Sequence, residues 1–183
     1  MGADAINIHG WDGLWLHTLK CGGGATGRQA ALRKNQMPAL MKFLHVLSAI
    51  VWLGGVSFML FALRPAAQLL APPLRLPLIA QTLERFFRLV WSAIAILLLT
   101  GLVMLLAVGM KNAPAGWHAM LGMGLLMFAL FGHLFFGPFR RLKLAVSATD
   151  WPEAGRRVGQ IATLAQVILA LGVLAIAAVF FLA

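Results

Sequence analysis

Long runs of apolar residues alternate with shorter polar segments along this 183-residue chain. Four runs reach the length of about 20 residues that a helix needs to cross a bilayer. They cover 43–63, 89–110, 117–136 and 161–183. A period of two residues is absent from these runs, and lipid offers no water to unpaired backbone groups, so helices are favoured over strands. The pattern predicts an all-α integral membrane protein, a four-helix bundle.

Composition and charge support this class and orient the spans. The chain is 61% hydrophobic and 11% charged, whereas about a quarter of the residues in a soluble domain are charged. Basic residues concentrate between the first and second runs and between the third and fourth. By the positive-inside rule these two loops are cytoplasmic, and both termini lie on the outer side. The net charge of +10 is therefore assigned to loops near lipid, and nucleic-acid binding is not expected.

The first 40 residues do not fit this orientation. They add four basic residues on the outer side, in a Gly-rich tract without periodicity: Lys20, Arg28, Arg33 and Lys34. We interpret residues 1–40 as a disordered tail and residues 41–183 as the membrane domain. One hypothesis is that the natural product starts at Met37 or Met41, which would restore the charge asymmetry. The alternative is a genuine tail that is tolerated despite its charge.

The first span carries a polar and aromatic stripe. At helical spacing one face holds His45, Ser48, Trp52, Gly55 and Met59. We expect this face to turn toward neighbouring helices, with Trp52 packing and with Gly54 and Gly55 allowing close backbone approach. Ionisable groups in a membrane are costly and are functional candidates by default, so His45 is the first candidate ligand.

The third span has a similar stripe, which holds His118, Gly122, Ala129 and His133. Because spans one and three both start outside, His45 and His118 are expected at nearly the same depth, facing inward. Two such imidazoles can make a metal or heme site. Met120 and Met123 follow His118, and a set of imidazole and thioether ligands suits copper, particularly Cu(I). The structural alternatives are interfacial histidines and methionines that only fill space.

A second station is predicted nearer the cytoplasmic surface, where His133 and Met59 could form an inner relay.

Catalysis is not favoured. All five acidic residues lie outside the spans, so a carboxylate-based relay has no candidate. The sequence contains no recognisable nucleophile–base pair, phosphate-binding loop or zinc-protease motif.

Several segments together resemble the CopD-like family, small inner-membrane proteins related to the membrane domain of bacterial copper resistance protein D. They are KFLHVLSAIVWLGGVSF, LERFFRLVWSAIAILLLTGLVM, WHAMLGMGLLM and FGPFRRLKLAVSATDWPEAGRR. The resemblance covers about residues 39 to 183 and implies a helical bundle in the bacterial inner membrane with a role in binding, uptake or delivery of copper. In that membrane the outer side, on which the charge distribution places both termini, is the periplasm. By motif, His45 and His118 match the family's histidines. A periplasmic copper-binding protein is an implied partner, besides the lipid bilayer and further copies of the chain.

A more distant resemblance links the chain to the membrane protoporphyrinogen oxidase family, which binds heme b. That family also has a Leu-His followed by a tryptophan in its first span and a histidine opening a later span. The lysine that typically follows the later histidine by two positions is Met120 here. This resemblance implies a heme-binding redox protein with His45 and His118 as axial ligands. A third alternative is a non-catalytic scaffold subunit whose polar stripe packs against another protein.

Overall fold

The computed structural model describes residues 39–182. In this part of the chain it contains four long helices, α1 (Ala39–Ala67), α2 (Pro72–Val108), α3 (Ala115–Ser147) and α4 (Trp151–Phe181), each long and apolar enough to cross a membrane. No strand occurs among the described residues, and the predicted all-α, four-span fold is confirmed. The predicted tail lies outside the described residues except for its last two positions. The periplasmic placement of the termini stays a prediction.

The helices extend well beyond the predicted apolar runs. The predicted loop between the third and fourth spans is mostly helical, because α3 continues to Ser147 and leaves only residues 148–150 before α4. The added segment alternates its chemistry at helical spacing: Leu142 and Ala145 are buried, while Arg140 and Arg141 are exposed. The charges suggested a loop, but they lie on the outer face of an amphipathic helix end.

Prolines shape the helices without ending them. Pro72 is at the first turn of α2, where a helix leaves its N–H groups unpaired in any case, so a missing N–H costs nothing there. Pro77 lies inside α2 and does not end it. Two π turns, Met59–Leu63 in α1 and Phe135–Phe139 in α3, lie beside Pro65 and around Pro138. A wider turn accommodates the carbonyl that a proline ring would otherwise strike.

The ends of the helices are fixed by specific caps. The side chain of Asp150 accepts a hydrogen bond of 3.0 Å from the backbone N–H of Glu153, and Pro152 follows in the first turn of α4. At the other end of the bundle, α2 terminates at Gly109, whose φ of 83° is readily adopted only without a Cβ. The short connections make consecutive helices antiparallel.

We expect Asp150→Ala to lower the free energy of unfolding by about 1 kcal/mol, the usual loss for an N-cap. Asp150→Asn and Asp150→Ser keep an acceptor oxygen and should remain close to wild type. Thermal unfolding of the three variants in the same detergent measures this. Equal losses in all three would mean that the cap does not stabilise α4.

Close contacts hold the four helices in one bundle. The indole ring of Trp52 on α1 stacks on Phe128 of α3 at 5.6 Å between ring centroids. A side chain at Gly172 of α4 would collide with Leu53, so this glycine lets α1 approach. Phe87 of α2 packs edge-on against Phe131 of α3 at 5.3 Å. The core therefore runs through all four helices.

The two ends of the bundle differ in charge. We call the end where α1 and α3 finish and α2 and α4 begin the basic end. It holds Arg64, Arg75, Arg85, Arg88, Arg140, Arg141, Lys143, Arg156 and Arg157. We call the opposite end, which contains the connection 109–114 and Lys111, the turn end. The candidate histidines His45 and His118 both lie toward the turn end.

Candidate metal site near the turn end

His45 is half-buried between α1 and α2. Its Nδ1 lies 2.8 Å from Oγ1 of Thr100, and Thr100 is 2% exposed. The neighbouring Gly101 leaves space for the ring, because a Cβ there would stand 3.3 Å from Cε1 of His45. Thr100 precedes the end of α2 by eight residues, which corresponds to about 12 Å along the helix axis. The imidazole is thus held below the turn end, inside the bundle.

The hydrogen bonds of Thr100 determine which nitrogen of His45 carries the proton. Oγ1 of Thr100 lies 2.6 Å from the carbonyl oxygen of Ile96, and a carbonyl can only accept. The single hydroxyl proton is therefore directed to Ile96, so Thr100 must accept from His45. Nδ1 of His45 then bears the proton, and Nε2 keeps a free lone pair. This is the arrangement in which a second residue fixes the tautomer of a metal-binding histidine.

Three half-buried methionines lie at about the depth of His45 in the bundle. Met104 follows Thr100 by one helical turn on α2, which places both on the same face, and it is half-buried. On α3 the buried face is defined by Gly116, Met127, Phe131 and Leu134. At about 100° per residue, Met120 and Met123 fall within about 40° of Gly116, and both are half-buried. Their thioethers therefore project toward the bundle interior.

His118 occupies the opposite side of α3. The stripe on α3 that was expected to face inward is exposed at all four of its positions, which are His118, Gly122, Ala129 and His133. The direction is reversed because α3 packs on α4 through Gly116, whose Cβ would lie 2.6 Å from the carbonyl oxygen of Ala178. Nδ1 of His118 donates to the carbonyl of Pro114 at 3.2 Å. The structure does not direct His118 to the same side as Met120 and Met123.

The other predicted residues also separate. Met59 lines an apolar cavity, while His133 is on the exposed face of α3, so the two are not brought together as an inner relay. Gly55 lies directly under the ring of Phe86, whereas a Cβ at Gly54 would meet no described atom within 4 Å. Close approach therefore depends on Gly55, because Gly54 points away from the neighbouring helices.

Thr100 was missed by the sequence analysis. The only signal was a lone hydroxyl in the run ILLLTGLVM, next to a glycine, and threonine in a membrane helix commonly bonds its own backbone. Its pairing with His45 depends on how α1 and α2 are aligned. Among residues 39–182, no group of three or more His, Cys, Asp or Glu side chains could hold a metal ion.

Four apolar helices and a largely apolar exterior define a multi-pass membrane protein that contacts the lipid bilayer. The sequence model of the family described as CopD, copper resistance protein D, matches residues 80–182, more than half of the 183-residue chain. The chain belongs to this copper-resistance family. The match includes Thr100, His118 and the three methionines but begins after α1, so His45 lies outside it. No curated protein and no solved structure matches the chain.

Proposed function

We propose that this protein binds Cu(I) as cargo between its helices near the turn end and passes it on, in uptake or in delivery. The observation that carries the proposal is the bond from Nδ1 of His45 to Thr100, 2.8 Å long. It leaves Nε2 as an oriented ligand atom on a half-buried ring. The family assignment indicates copper as the metal, and Nε2 of His45 supplies a ligand atom in a fixed position, which a residue that only packs would not need.

The surrounding donors suit the reduced ion. Soft thioether sulfur selects Cu(I) over harder cations, and Met104, Met120 and Met123 are half-buried on inward faces. We assign one or two of them as partners of His45. No carboxylate lies in this part of the bundle among the described residues, which disfavours Ca²⁺, Mg²⁺ and Mn²⁺ because these prefer oxygen ligands.

His118 has a different role in this proposal. It is exposed at the start of α3, and its free Nε2 can take the ion from a donor before it reaches His45. With the termini on the periplasmic side of the inner membrane, as the loop charges predict, that donor is a periplasmic copper-binding protein. A heme held by His45 and His118 is not supported, since His45 is half-buried between α1 and α2 whereas His118 is on the exposed side of α3, and the family match is to a copper-resistance protein.

The experiment is a titration of the purified wild-type protein with Cu(I) against a competing chelator. We expect one tight site, and X-ray absorption of the loaded protein should show both nitrogen and sulfur neighbours. Thr100→Val should weaken Cu(I) binding about 10- to 100-fold, the range observed when the hydrogen-bond partner of a ligating histidine is removed. Thr100→Ser keeps the acceptor and should bind nearly as well as wild type.

Thr163→Val is the matched control for this substitution. Thr163 is exposed on α4, and its hydroxyl donates to the carbonyl of Gly159 in its own helix. The same chemical change there should leave Cu(I) affinity unaltered. A wild-type protein that fails to compete for Cu(I) at all would contradict the proposed function and favour the scaffold alternative.

A further inference from the structure

A second site lies in the half of the bundle toward the basic end, away from His45. An apolar cavity of about 50 Å³ opens between the four helices, with residues of α1, α2, α3 and α4 in its wall. Its wall includes Trp52, Val56, Met59, Ile79, Phe86 and Ala165. A water molecule needs two or more polar partners, and apart from Arg64 the side chains of this wall are apolar. The apolar lining therefore suits a hydrocarbon ligand.

Arg64 is the single charged residue in this wall. It is half-buried, and among residues 39–182 no carboxylate lies within ion-pair distance of it: Glu84 pairs with Lys143, and Glu153 pairs with Arg156 and Arg157. A cation at the edge of a membrane core is costly unless it meets an anion. The guanidinium suits a phosphate, which it can bind in a bidentate manner.

The π turn of α1 is what brings Arg64 to the cavity. In a regular helix the twelve residues from Trp52 to Arg64 would rotate the side chain by about 120° from the face of Trp52. The π turn Met59–Leu63 takes up one extra residue, which reduces this offset to about 20°. Trp52, Leu60 and Arg64 consequently line the same cavity. The local widening thus places a positive charge at the end of an apolar pocket.

We propose that this cavity and Arg64 form a binding site for an anionic phospholipid of the surrounding bilayer. Part of one acyl chain enters the cavity beside Ala165, and the phosphate pairs with Arg64 at the basic end. The rest of the acyl chain can stay in the bilayer, because Met59, Leu60 and Leu63 in the wall are only half-buried and connect the cavity to the lipid-facing surface. This site is independent of the copper site near the turn end.

The test uses native mass spectrometry of the full chain with added phosphatidylglycerol or phosphatidylcholine. We expect wild type to retain phosphatidylglycerol about tenfold more strongly, since only its net negative headgroup pairs fully with the guanidinium. Arg64→Gln should abolish this preference, and Arg64→Lys should keep part of it. Arg141→Gln removes an exposed basic residue outside the cavity wall and should behave as wild type. Preference for phosphatidylglycerol that survives in Arg64→Gln would overturn the proposal.

A second pair of variants tests the acyl chain separately from the charge. Ala165→Leu fills the cavity while Arg64 is unchanged, and it should reduce phosphatidylglycerol retention several-fold; Ala170→Leu, on the exposed face of α4, should not. Palmitate added alone distinguishes the source: if it displaces phosphatidylglycerol at equal concentration, the ligand is a free fatty acid and our assignment is wrong. Cu(I) affinity should be unchanged in all these variants, so that failure here and failure of the copper site are distinguishable.

Discussion

His45→Asn should abolish Cu(I) binding while the protein remains folded. An asparagine amide can still donate to Oγ1 of Thr100 from near the position of Nδ1, which lies 2.8 Å from that oxygen in the structure, but it has no atom in place of Nε2. The hydrogen bond and the helix contact are therefore kept, and only the ligand atom is lost. Chelator competition and metal analysis of the purified variant measure the loss, and thermal unfolding checks the fold.

Two other histidines of the described residues provide comparisons for this prediction. His133→Ala removes an imidazole from the exposed face of α3 near the basic end and should leave equilibrium Cu(I) binding at the wild-type level. His118→Ala should slow loading from a donor protein but retain most of the final affinity, because His118 faces away from Met120 and Met123. If His118→Ala removes binding as completely as His45→Asn, the ion is held by both histidines together and our division of roles is incorrect.

Gly116→Ala should be the most destabilising single-methyl change at the turn end. Its Cβ would lie 2.6 Å from the carbonyl oxygen of Ala178, and a backbone oxygen cannot rotate away as a side chain can. The backbone N–H of Gly116 also donates to the carbonyl of Leu182 at 3.1 Å, so separation of α3 from α4 would break this bond. We expect a loss of about 1–3 kcal/mol, equivalent to a fall of about 5 °C in Tm for a chain of this size.

Gly122→Ala provides the comparison, because a Cβ at Gly122 meets no described atom within 4 Å. Both variants add one methyl group to the same helix, so any general effect of alanine on α3 appears in both. Thermal unfolding in one detergent, followed by circular dichroism, gives the two Tm values. Similar values for both would show that α3 and α4 do not pack through Gly116 as the structure has it.

The fold class followed from the sequence for a simple reason. A bilayer requires about 20 apolar residues per helix and allows few charges, and the four runs satisfy this without reference to any tertiary contact. The helix start at Asp150 depends only on local chemistry, because a cap acts on its own first turn. The lengths of the helices could not be predicted from the sequence. Basic residues such as Arg140 and Arg141 are compatible with either a loop or the exposed face of a helix end, and packing decides between these.

The candidate site was predicted in part. His45 stood out because an imidazole is costly in lipid, and its stripe with Ser48 and Trp52 indicated a face turned toward other helices; Ser48 and Trp52 are buried. His118 carried the same signal, yet it is exposed. Helical periodicity shows which residues share a face but not where that face points, and the contact between Gly116 and Ala178 sets the direction for α3.

The sequence by itself determined that this chain forms apolar helices that cross a membrane, because hydrophobic length and the positions of charge are properties of single segments. It also marked His45 as a residue that lipid alone would not favour. Only the tertiary structure paired Thr100 with His45 and turned Arg64 toward an apolar cavity, because both depend on the register between helices and on a π turn. Such registers arise from the packing of glycines and aromatic rings across helices, which one-dimensional periodicity does not contain.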